Sequence, residues 1–386
     1  MKNNTVQKNI PQGWQENKLL DCLRVPSKLA GIKLSEYEKE GDFPVFDQGQ
    51  DYISGFSSNK DLVVKDVPAI LFGDHTRIVK YIKSPFVAGA DGTKIFWAKE
   101  AFDSTFLYYL VLSQKIPNTG YNRHFKFFKD IKVLTPESKK EQRKIAEILG
   151  TADEDIAKTQ EVIEATEKLK RGLMQQLFTR GIGQIKFKKV KLGDICDITK
   201  LAGFEYSKYF NSYKDAGEII VVRGSNIKDG QIDLSSIKTI PLQTSNLLPR
   251  SQLKKGDLVF AYVGTIGPVA LITEDKKYHL GPNTARVTPI KDVTANYLYW
   301  YFRSPLVEVE INKRISVTAQ PSLSMEKIRG FELTIPESKD DQEEISKILS
   351  AINEKILVNK KLKAKFTLLK QGLMQDLLSG KVRTNI

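Results

Sequence analysis

Apolar residues recur at alternating steps of four and three along two long stretches of the chain. In the first stretch these positions run from Ile145 to Leu177, and in the second from Ile345 to Leu377. This spacing is typical of a heptad seam on one helix face, here apolar at both ends and polar in the middle. Each stretch predicts one helix of about 42 residues, which at about 1.5 Å per residue is roughly 60 Å long.

The two stretches are copies of each other. Pro136–Lys139 returns as Pro336–Lys339, and Gly172–Gln175 returns as Gly372–Gln375, both at an offset of 200 residues. A repeat that holds without a gap over such a distance indicates two helices of one fixed length.

Both predicted helices begin with a similar signal and are expected to pair. Ser138 is followed by Glu141, and Ser338 is followed by Asp341, which resembles a capping box. Two helices of one length and one pattern in one chain most simply pack on each other, here antiparallel. The alternative is two unrelated surface helices, each packed on its own domain.

Short β-rich runs, separated by Gly, Asp and Asn turns, fill the remainder of the chain. The runs lie at 44–46, 62–64, 69–72, 77–82 and 94–97, and then at 218–222, 257–261, 268–272 and 285–288. Each group ends in an aromatic helix, near Phe102 to Ser113 and near Asn296 to Arg303.

The predicted domain order is block, helix, block, helix. The boundaries are 1–135 for the first block, 136–180 for the central helix, 181–335 for the second block and 336–386 for the C-terminal helix. The predicted fold class is therefore α+β, with two mixed α/β domains separated by two long helices that pack as an antiparallel coiled coil.

The net charge and the cysteine content limit the functions that are compatible with the chain. The net charge is +14 without a basic tail, which favours a polyanionic partner, nucleic acid before membrane. The alternative is a basic protein whose charge serves only solubility. Cys22 and Cys196 are too few for a disulfide framework or a zinc site, and the polar N-terminus lacks a signal peptide, so a cytoplasmic location is expected.

In these features the chain resembles the specificity subunit of type I restriction–modification enzymes. The two repeated helices carry most of the resemblance. Supporting segments are Leu71–Arg77, Gly89–Gly92, Arg223–Ile227, Gly256–Leu258 and Val263–Gly267. The resemblance covers nearly the whole chain.

The resemblance implies a division of labour. Each block would be a target-recognition domain that reads one half of a split site in double-stranded DNA. The helices would form an antiparallel spacer and the docking surface for two methyltransferase subunits, and restriction subunits, where present, would be further partners. No cofactor is expected on this chain. S-adenosylmethionine, ATP and Mg²⁺ would belong to the partner subunits.

Motifs for catalysis are missing from the sequence. Gly181 and Gly183 follow a helix without the third glycine of a dinucleotide site, and Gly89–Lys94 lacks the spacing of a phosphate-binding loop. Asp74-His75 is interpreted as part of a binding turn, because no second metal ligand lies nearby in the sequence. No catalytic residue and no metal ligand are predicted.

DNA contacts are expected from polar residues in turns. The segment Tyr121–Lys129 alternates cations with aromatics; Arg and Lys can bind phosphate or guanine, and Asn can pair with adenine. Its phenylalanines are interpreted mainly as core. The candidate DNA-binding residues are Gln48, His75, Thr76, Arg77, Asn122, Arg123, His124 and Lys126 in the first block, and Arg223, Ser225, Asn226, Asn283, Lys313, Arg314, Gln320 and Ser322 in the second.

Two other functions compete with a DNA-recognition subunit. One is a self-sufficient DNA nuclease or methyltransferase, which the missing cofactor motifs disfavour. The other is a coiled-coil scaffold that binds no DNA, which the two large dissimilar blocks and the positive charge disfavour.

Overall fold

The computed structural model describes residues 10–26, 29–210, 217–315 and 321–384. The chain divides into two compact units. The first comprises Met1–Glu161 with Lys360–Ile386, and the second comprises Val162–Asn359. Each unit therefore contains one β-rich block together with half of each long helix.

The first block and the helix that follows it contain ten strands and three α-helices in the described residues. They are β1 (Trp14–Lys18), α1 (Leu19–Cys22), β2 (Leu23–Arg24), β3 (Phe43–Phe46), β4 (Gly55–Ser57), β5 (Val63–Val64), β6 (Ala69–Gly73), β7 (Val79–Ile82), β8 (Phe86–Ala88), β9 (Thr93–Ala98), α2 (Ser104–Leu112), β10 (Lys132–Pro136) and α3 (Lys139–Thr179).

The remaining elements follow in the same manner. They are β11 (Phe187–Lys191), α4 (Leu192–Ile195), β12 (Cys196–Lys200), α5 (Gly203–Tyr209), β13 (Ile219–Val222), β14 (Ile227–Lys228), β15 (Gln231–Ile232), β16 (Lys238–Ile240), α6 (Leu242–Asn246), β17 (Gln252–Leu253), β18 (Leu258–Ala261), β19 (Val269–Leu271), β20 (Tyr278–Leu280), β21 (Thr284–Pro289), α7 (Ala295–Phe302), α8 (Pro305–Arg314), α9 (Met325–Arg329), β22 (Glu332–Pro336) and α10 (Lys339–Leu378).

The two blocks share one sheet plan although their sequences differ. The first has the strand orders β2-β9-β6-β7 and β4-β3-β8-β5, and the second has β12-β21-β18-β19 and β16-β13-β20-β17. In each block the two central strands of the second sheet, β3 with β8 and β13 with β20, run parallel, while the other pairs are antiparallel. Fully apolar strands such as Ala69–Gly73 are buried on both faces, which is why they occupy sheet centres.

A short strand pair leads into each long helix. Strand β1 pairs with β10, and β11 pairs with β22, both antiparallel. The aromatic helices pack beside these pairs and are capped by polar side chains. The Asp103 carboxylate accepts the backbone N–H groups of Thr105 and Phe106, and the Thr294 hydroxyl accepts that of Tyr297.

The structure confirms the antiparallel pairing of the long helices. In the first unit, Ile145 and Leu377 belong to one core, against which Leu373 packs. In the second unit, Ile345 and Leu349 share a core with Leu177, against which Leu173 packs. In both units the beginning of one helix therefore meets the end of the other.

The polar middle of the seam is hydrogen-bonded. In the first unit, Lys370 Nζ lies 2.5 Å from Asp153 Oδ1 and Lys363 Nζ lies 2.8 Å from Gln160 Oε1. In the second unit, Lys170 Nζ lies 2.7 Å from Asn353 Oδ1. Lys370 and Lys170 are the same position of the repeat, so each unit contains a version of one contact.

Glu141 does not complete a capping box with Ser138. Its carboxylate is buried and accepts bonds from Arg383 Nε at 2.6 Å and from Trp14 Nε1 at 3.3 Å. The guanidinium group of Arg383 is charged and the indole N–H of Trp14 is a hydrogen-bond donor. The Glu141 carboxylate therefore bonds these two groups and not the start of the helix. Ser338 caps the second helix more simply, since its hydroxyl accepts the N–H of Asp340 at 3.1 Å.

Candidate nucleic-acid interface

The turn after strand β6 is built around a glycine. A Cβ atom on Gly73 would lie 2.2 Å from Thr76 Oγ1 and 2.9 Å from Gln48 Cβ, so no larger residue fits there. The turn closes through Arg77 N–H to Gly73 O at 2.7 Å, with Arg77 at φ +64°. The Arg77 guanidinium bonds Ile116 O at 3.3 Å, which turns this predicted DNA contact partly inward.

Gln48 lies against this turn. Its Oε1 accepts the His75 N–H at 3.0 Å, and its carbonyl accepts the Thr76 hydroxyl at 2.7 Å. The His75 ring stacks on the ring of Tyr121, with centroids 4.5 Å apart and planes 10° apart. Three predicted residues from two separate parts of the chain, Gln48 and the adjacent pair His75 and Thr76, are therefore brought together.

His124 is a structural residue in this arrangement. It is fully buried, its Nδ1 lies 2.8 Å from Asp74 O, and its backbone N–H bonds the same carbonyl. The Asp74 carboxylate in turn accepts the Phe125 N–H at 2.7 Å. His124 thus ties the loop to the turn rather than facing outward, and Phe128 beside it is core as expected.

The exposed side chains near buried His124 form the first candidate surface, which we define as Thr76, Tyr121, Asn122, Arg123 and Lys126. Tyr121 is 85% exposed although one of its faces is covered by His75. Asn122 Nδ2 donates to Thr119 O, and Lys126 Nζ lies 5.3 Å from the Phe127 ring centre. Within the described chain the Arg123 guanidinium has no hydrogen-bond partner.

A network outside the predicted residues holds the Gln48 loop. Asp47 accepts bonds from Gly49 N–H at 2.8 Å, Tyr37 OH at 3.1 Å and the Ser54 hydroxyl. Burial favours the neutral form of Asp47, but these hydrogen bonds and nearby Lys80 outweigh it and hold the pKa of Asp47 below its usual value. The sequence signal for this network is an Asp followed by Gly and Ser in a turn.

In the second unit, Arg223 and Asn226 close a short turn. Arg223 Nε lies 3.1 Å from Asn226 Oδ1, and its terminal nitrogen donates to Ser236 O at 2.8 Å. Asn226 is buried and donates to Ser236 O at 2.9 Å, so it shapes the turn. Ser225, between them, is exposed.

Backbone hydrogen bonds to Tyr262 bring the segments that contain Asn283 and Ser322 close together. Tyr262 N–H donates to Asn283 O at 3.1 Å, and Leu323 N–H donates to Tyr262 O at 3.0 Å. Ser322 forms a bridge with Val263. Exposed Asn283 and half-buried Ser322 define the second candidate surface; the predicted residue Gln320 lies outside the described residues.

Lys313 and Arg314 are engaged by a buried carboxylate. Lys313 Nζ lies 2.9 Å from Glu310 Oε1, and Arg314 pairs with Glu310 while donating to Gly330 O at 2.8 Å. Burial favours the neutral form of Glu310, yet its bonds to Glu332 N–H and the two cations hold its pKa below the usual value. No hydrogen bond in the described residues links this group to Asn283 or Ser322.

Two other kinds of site are absent from the described part of the chain. No group of three His, Cys, Asp or Glu side chains is arranged to share a metal ion. None of the described helices is both long and apolar enough to cross a bilayer.

Comparison with known families and proteins identifies similar sequences. Residues 11–167 and 184–368 match the family model for the type I restriction modification DNA specificity domain. The chain is 24% identical over 405 residues to the type I restriction enzyme MjaVIII specificity subunit of Methanocaldococcus jannaschii, covering 97% of this chain and 94% of that one. It is also 24% identical over 136 residues to the EcoBI specificity subunit of Escherichia coli, covering 35% and 28%.

Solved structures share the fold. The crystal structure of a type I restriction–modification S subunit from M. genitalium superposes with a TM-score of 0.64 at 16% identity, covering 98% of both chains. A chain from a study of complex assembly and conformational transition in a type I restriction–modification system superposes with a TM-score of 0.56 at 13% identity, covering 97% of this chain and 99% of that one.

Proposed function

The chain belongs to the family of type I restriction–modification DNA specificity domains, and from that premise we propose that each of its two units reads one half of a split DNA site. The chain is accordingly the specificity subunit of a type I system.

The observation that carries the proposal is a constant framework with variable loops. Both units repeat the strand pair, the capped aromatic helix and the half-helices, and both blocks share one sheet plan. The exposed and half-buried side chains in the turns differ, with His75, Tyr121 and Arg123 in one unit and Ser225, Asn283 and Ser322 in the other. Different side chains on one framework favour two different half-sites.

The chemistry of the exposed side chains fits DNA. An arginine can bind a guanine edge or a phosphate, asparagine can pair with adenine, and lysine neutralises phosphate. Arg123 and Asn122 are exposed neighbours on the first surface, and the whole chain has a net charge of +14. The positive charge supports affinity for any DNA, and the turn residues support selectivity.

We infer that catalysis belongs to partner subunits. In this proposal two methyltransferase subunits dock on the long helices and bind S-adenosylmethionine, and restriction subunits, where present, use ATP and Mg²⁺. This chain then supplies no active site. The similarity to a chain from a type I complex supports such an assembly.

Methylation-site sequencing tests the proposal directly. The chain is co-expressed with the methyltransferase subunit of its own system, and methylated sites are mapped for the wild type and two variants. Asn122→Ala with Arg123→Ala should relax one half-site only, and Ser225→Ala with Asn283→Ala should relax only the other. Methyl transfer by the chain without a partner, or relaxation of both halves by one variant, would overturn the proposal.

A further inference from the structure

The outer edge of strand β10 is open. The N–H of Leu19 donates to Ile131 O at 2.9 Å, and the strand register continues that ladder through Asn17 with Val133. Because hydrogen-bonded pairs alternate in an antiparallel ladder, the N–H and C=O groups of Lys132 and Leu134 point away from β1. Within the described chain these four groups have no hydrogen-bond partner.

The second unit closes the equivalent edge with its own side chains. At the matching positions of β22, Glu332 N–H donates to Glu310 Oε2 at 2.8 Å, and Thr334 N–H donates to Tyr301 OH at 3.2 Å. Tyr297 OH donates to Thr334 O at 3.5 Å. This edge therefore binds a carboxylate and two hydroxyl groups from the neighbouring helices.

Sequence differences leave the first edge open. Counting from the capping residues Asp103 and Thr294, Phe106 replaces Tyr297 and Leu110 replaces Tyr301, so both hydroxyl groups are missing. The described residues 113–124 form no helix corresponding to α8, so Glu310 has no counterpart there either.

A groove of about 660 Å³ runs beside the open edge, entirely within the first unit. Its apolar lining includes Leu110, Leu112, Leu134 and Met374. This volume lies within the range of about 300–1,000 Å³ that is typical of ligand sites. The groove thus combines free backbone donors and acceptors with an apolar floor.

We propose that this groove is a docking site for an extended acidic peptide segment of a partner protein, which adds a strand to the open edge of β10. Main-chain hydrogen bonds to Lys132 and Leu134 supply affinity, and alternate apolar side chains of the segment enter the groove. The inference does not depend on the proposed DNA function.

The acidic character of the occupant follows from two observations. Lys115 lines the groove, is exposed and has no carboxylate partner in the described residues, whereas Lys132 pairs with Glu16 at 2.7 Å. In the second unit the matching N–H group of Glu332 is bonded by a carboxylate. A carboxylate on the incoming segment meets Lys115, and a basic segment is repelled.

The probe is a short synthetic peptide of alternating leucine and glutamate, blocked at both ends, added to the full chain. Its binding is measured by fluorescence anisotropy, and amide hydrogen exchange is followed residue by residue. With the peptide at about 100 times its dissociation constant, exchange at Lys132 and Leu134 should slow by up to about 100-fold. The same peptide N-methylated at alternate residues should bind far more weakly, because it lacks the paired N–H groups.

The repeat provides a matched pair of variants. Gln375 is exposed and lines the groove, and Gln175 is the exposed equivalent in the second unit, where the edge is closed. Gln375→Trp should abolish peptide binding, and Gln175→Trp should leave it unchanged. Lys115→Ala should weaken binding by up to about fivefold, as for the loss of an exposed ion pair.

Several results would overturn the inference. These are equal binding of the N-methylated peptide, unchanged exchange at Lys132 and Leu134, or equal effects of the Gln375 and Gln175 variants. Sedimentation that shows wild-type dimers and monomeric Gln375→Trp would also overturn it, because the groove would then hold a second copy of the chain.

Discussion

Arg123 is the side chain on the first candidate surface with the most freedom to contact DNA, since it is exposed and has no partner in the described chain. Changing Arg123 to Ala should weaken binding of the complex to DNA. Loss of a phosphate contact lowers affinity for all sequences alike, whereas loss of a base contact relaxes one position by about 1–3 kcal/mol. Titration against a panel of single-base variants of the site separates the two outcomes.

Lys158→Ala is the matched control for Arg123. It removes one positive charge from an exposed position of α3, where Lys158 pairs with Glu154. A uniform long-range effect of charge lowers affinity equally in both variants. If the two variants bind DNA equally well, Arg123 is not a contact.

Asp47 is expected to make the Gln48 loop sensitive to acid. Its pKa is lowered in the folded state, so the unfolded chain binds more protons in acid. The stabilising contribution of the carboxylate is present above about pH 4 and is lost as the pH falls through the folded-state pKa. Asp47→Asn should lower the urea midpoint at neutral pH and reduce its further decrease at about pH 3.

Exposed Asp130 provides the comparison for Asp47. Asp130→Asn removes the same charge as Asp47→Asn, but it does not affect the bonds of Asp47 to Gly49, Ser54 and Tyr37. A wild-type midpoint that responds to acid no more than that of Asp47→Asn contradicts the assigned role.

The sequence identifies the candidate loops. It does not distinguish residues that are free to contact DNA from residues that only hold the loop in place. Arg123 and His124 are neighbours in one polar and aromatic segment, yet one is exposed and the other fully buried. The difference arises from Asp74, because its carbonyl oxygen is hydrogen-bonded to the ring and to the backbone N–H of His124, fifty residues away in the chain. Such a long-range partner leaves no local pattern in the sequence.

Among the elements, a glutamine one turn into each long helix joins the helix to its block. Gln142 Oε1 accepts the Asp103 N–H at 2.7 Å, and Gln142 Nε2 donates to Pro136 O at 2.9 Å. Gln342 repeats this with the Thr294 N–H at 2.8 Å and Pro336 O at 3.0 Å. Both side chains are buried, so these bonds position the aromatic helix against the long helix.

Gln142→Ala should lower the free energy of unfolding by about 1–3 kcal/mol, because it leaves buried backbone groups without a partner. Gln342→Ala should have a similar effect, and the two effects should add, since the residues share no partner. Urea unfolding measures both, with exposed Gln371→Ala as the control. A loss no larger than that of the control contradicts the role.

The sequence predicts the long helices well because their signal is local. The heptad spacing identifies the seam, including its polar middle at Lys170 and Lys370. It does not reveal that Lys370 lies 5.3 Å from the ring centre of Tyr109, or that Lys170 lies 4.9 Å from that of Trp300. Those rings come from the aromatic helices, whose position depends on the folded block.

For the whole molecule, the repeat at 200 residues is sufficient to predict two blocks and two helices from sequence alone. The shared sheet plan of the blocks is not visible in the same way. Its parallel pairs, β3 with β8 and β13 with β20, join segments separated by many residues, and pairing of this kind depends on packing rather than on local pattern.

The long helices should determine how many base pairs separate the two half-sites. In the first unit Gln160 of α3 contacts Lys363 of α10, and in the second unit Lys170 of α3 contacts Asn353 of α10. The boundaries between the two units fall after Glu161 in α3 and after Asn359 in α10. Insertions at these two points therefore lengthen both helices without shifting either set of end contacts.

Four residues inserted at both points lengthen each helix by about 6 Å, which is close to two base-pair steps of about 3.4 Å. Methylation-site sequencing of this variant with its methyltransferase should show both half-sites unchanged and a longer unread gap. The control replaces residues 158–161 with the same four residues, so that the composition changes and the length does not. Because the recognition loops are untouched, a lengthened chain that still methylates the original spacing would show that the helices do not measure it.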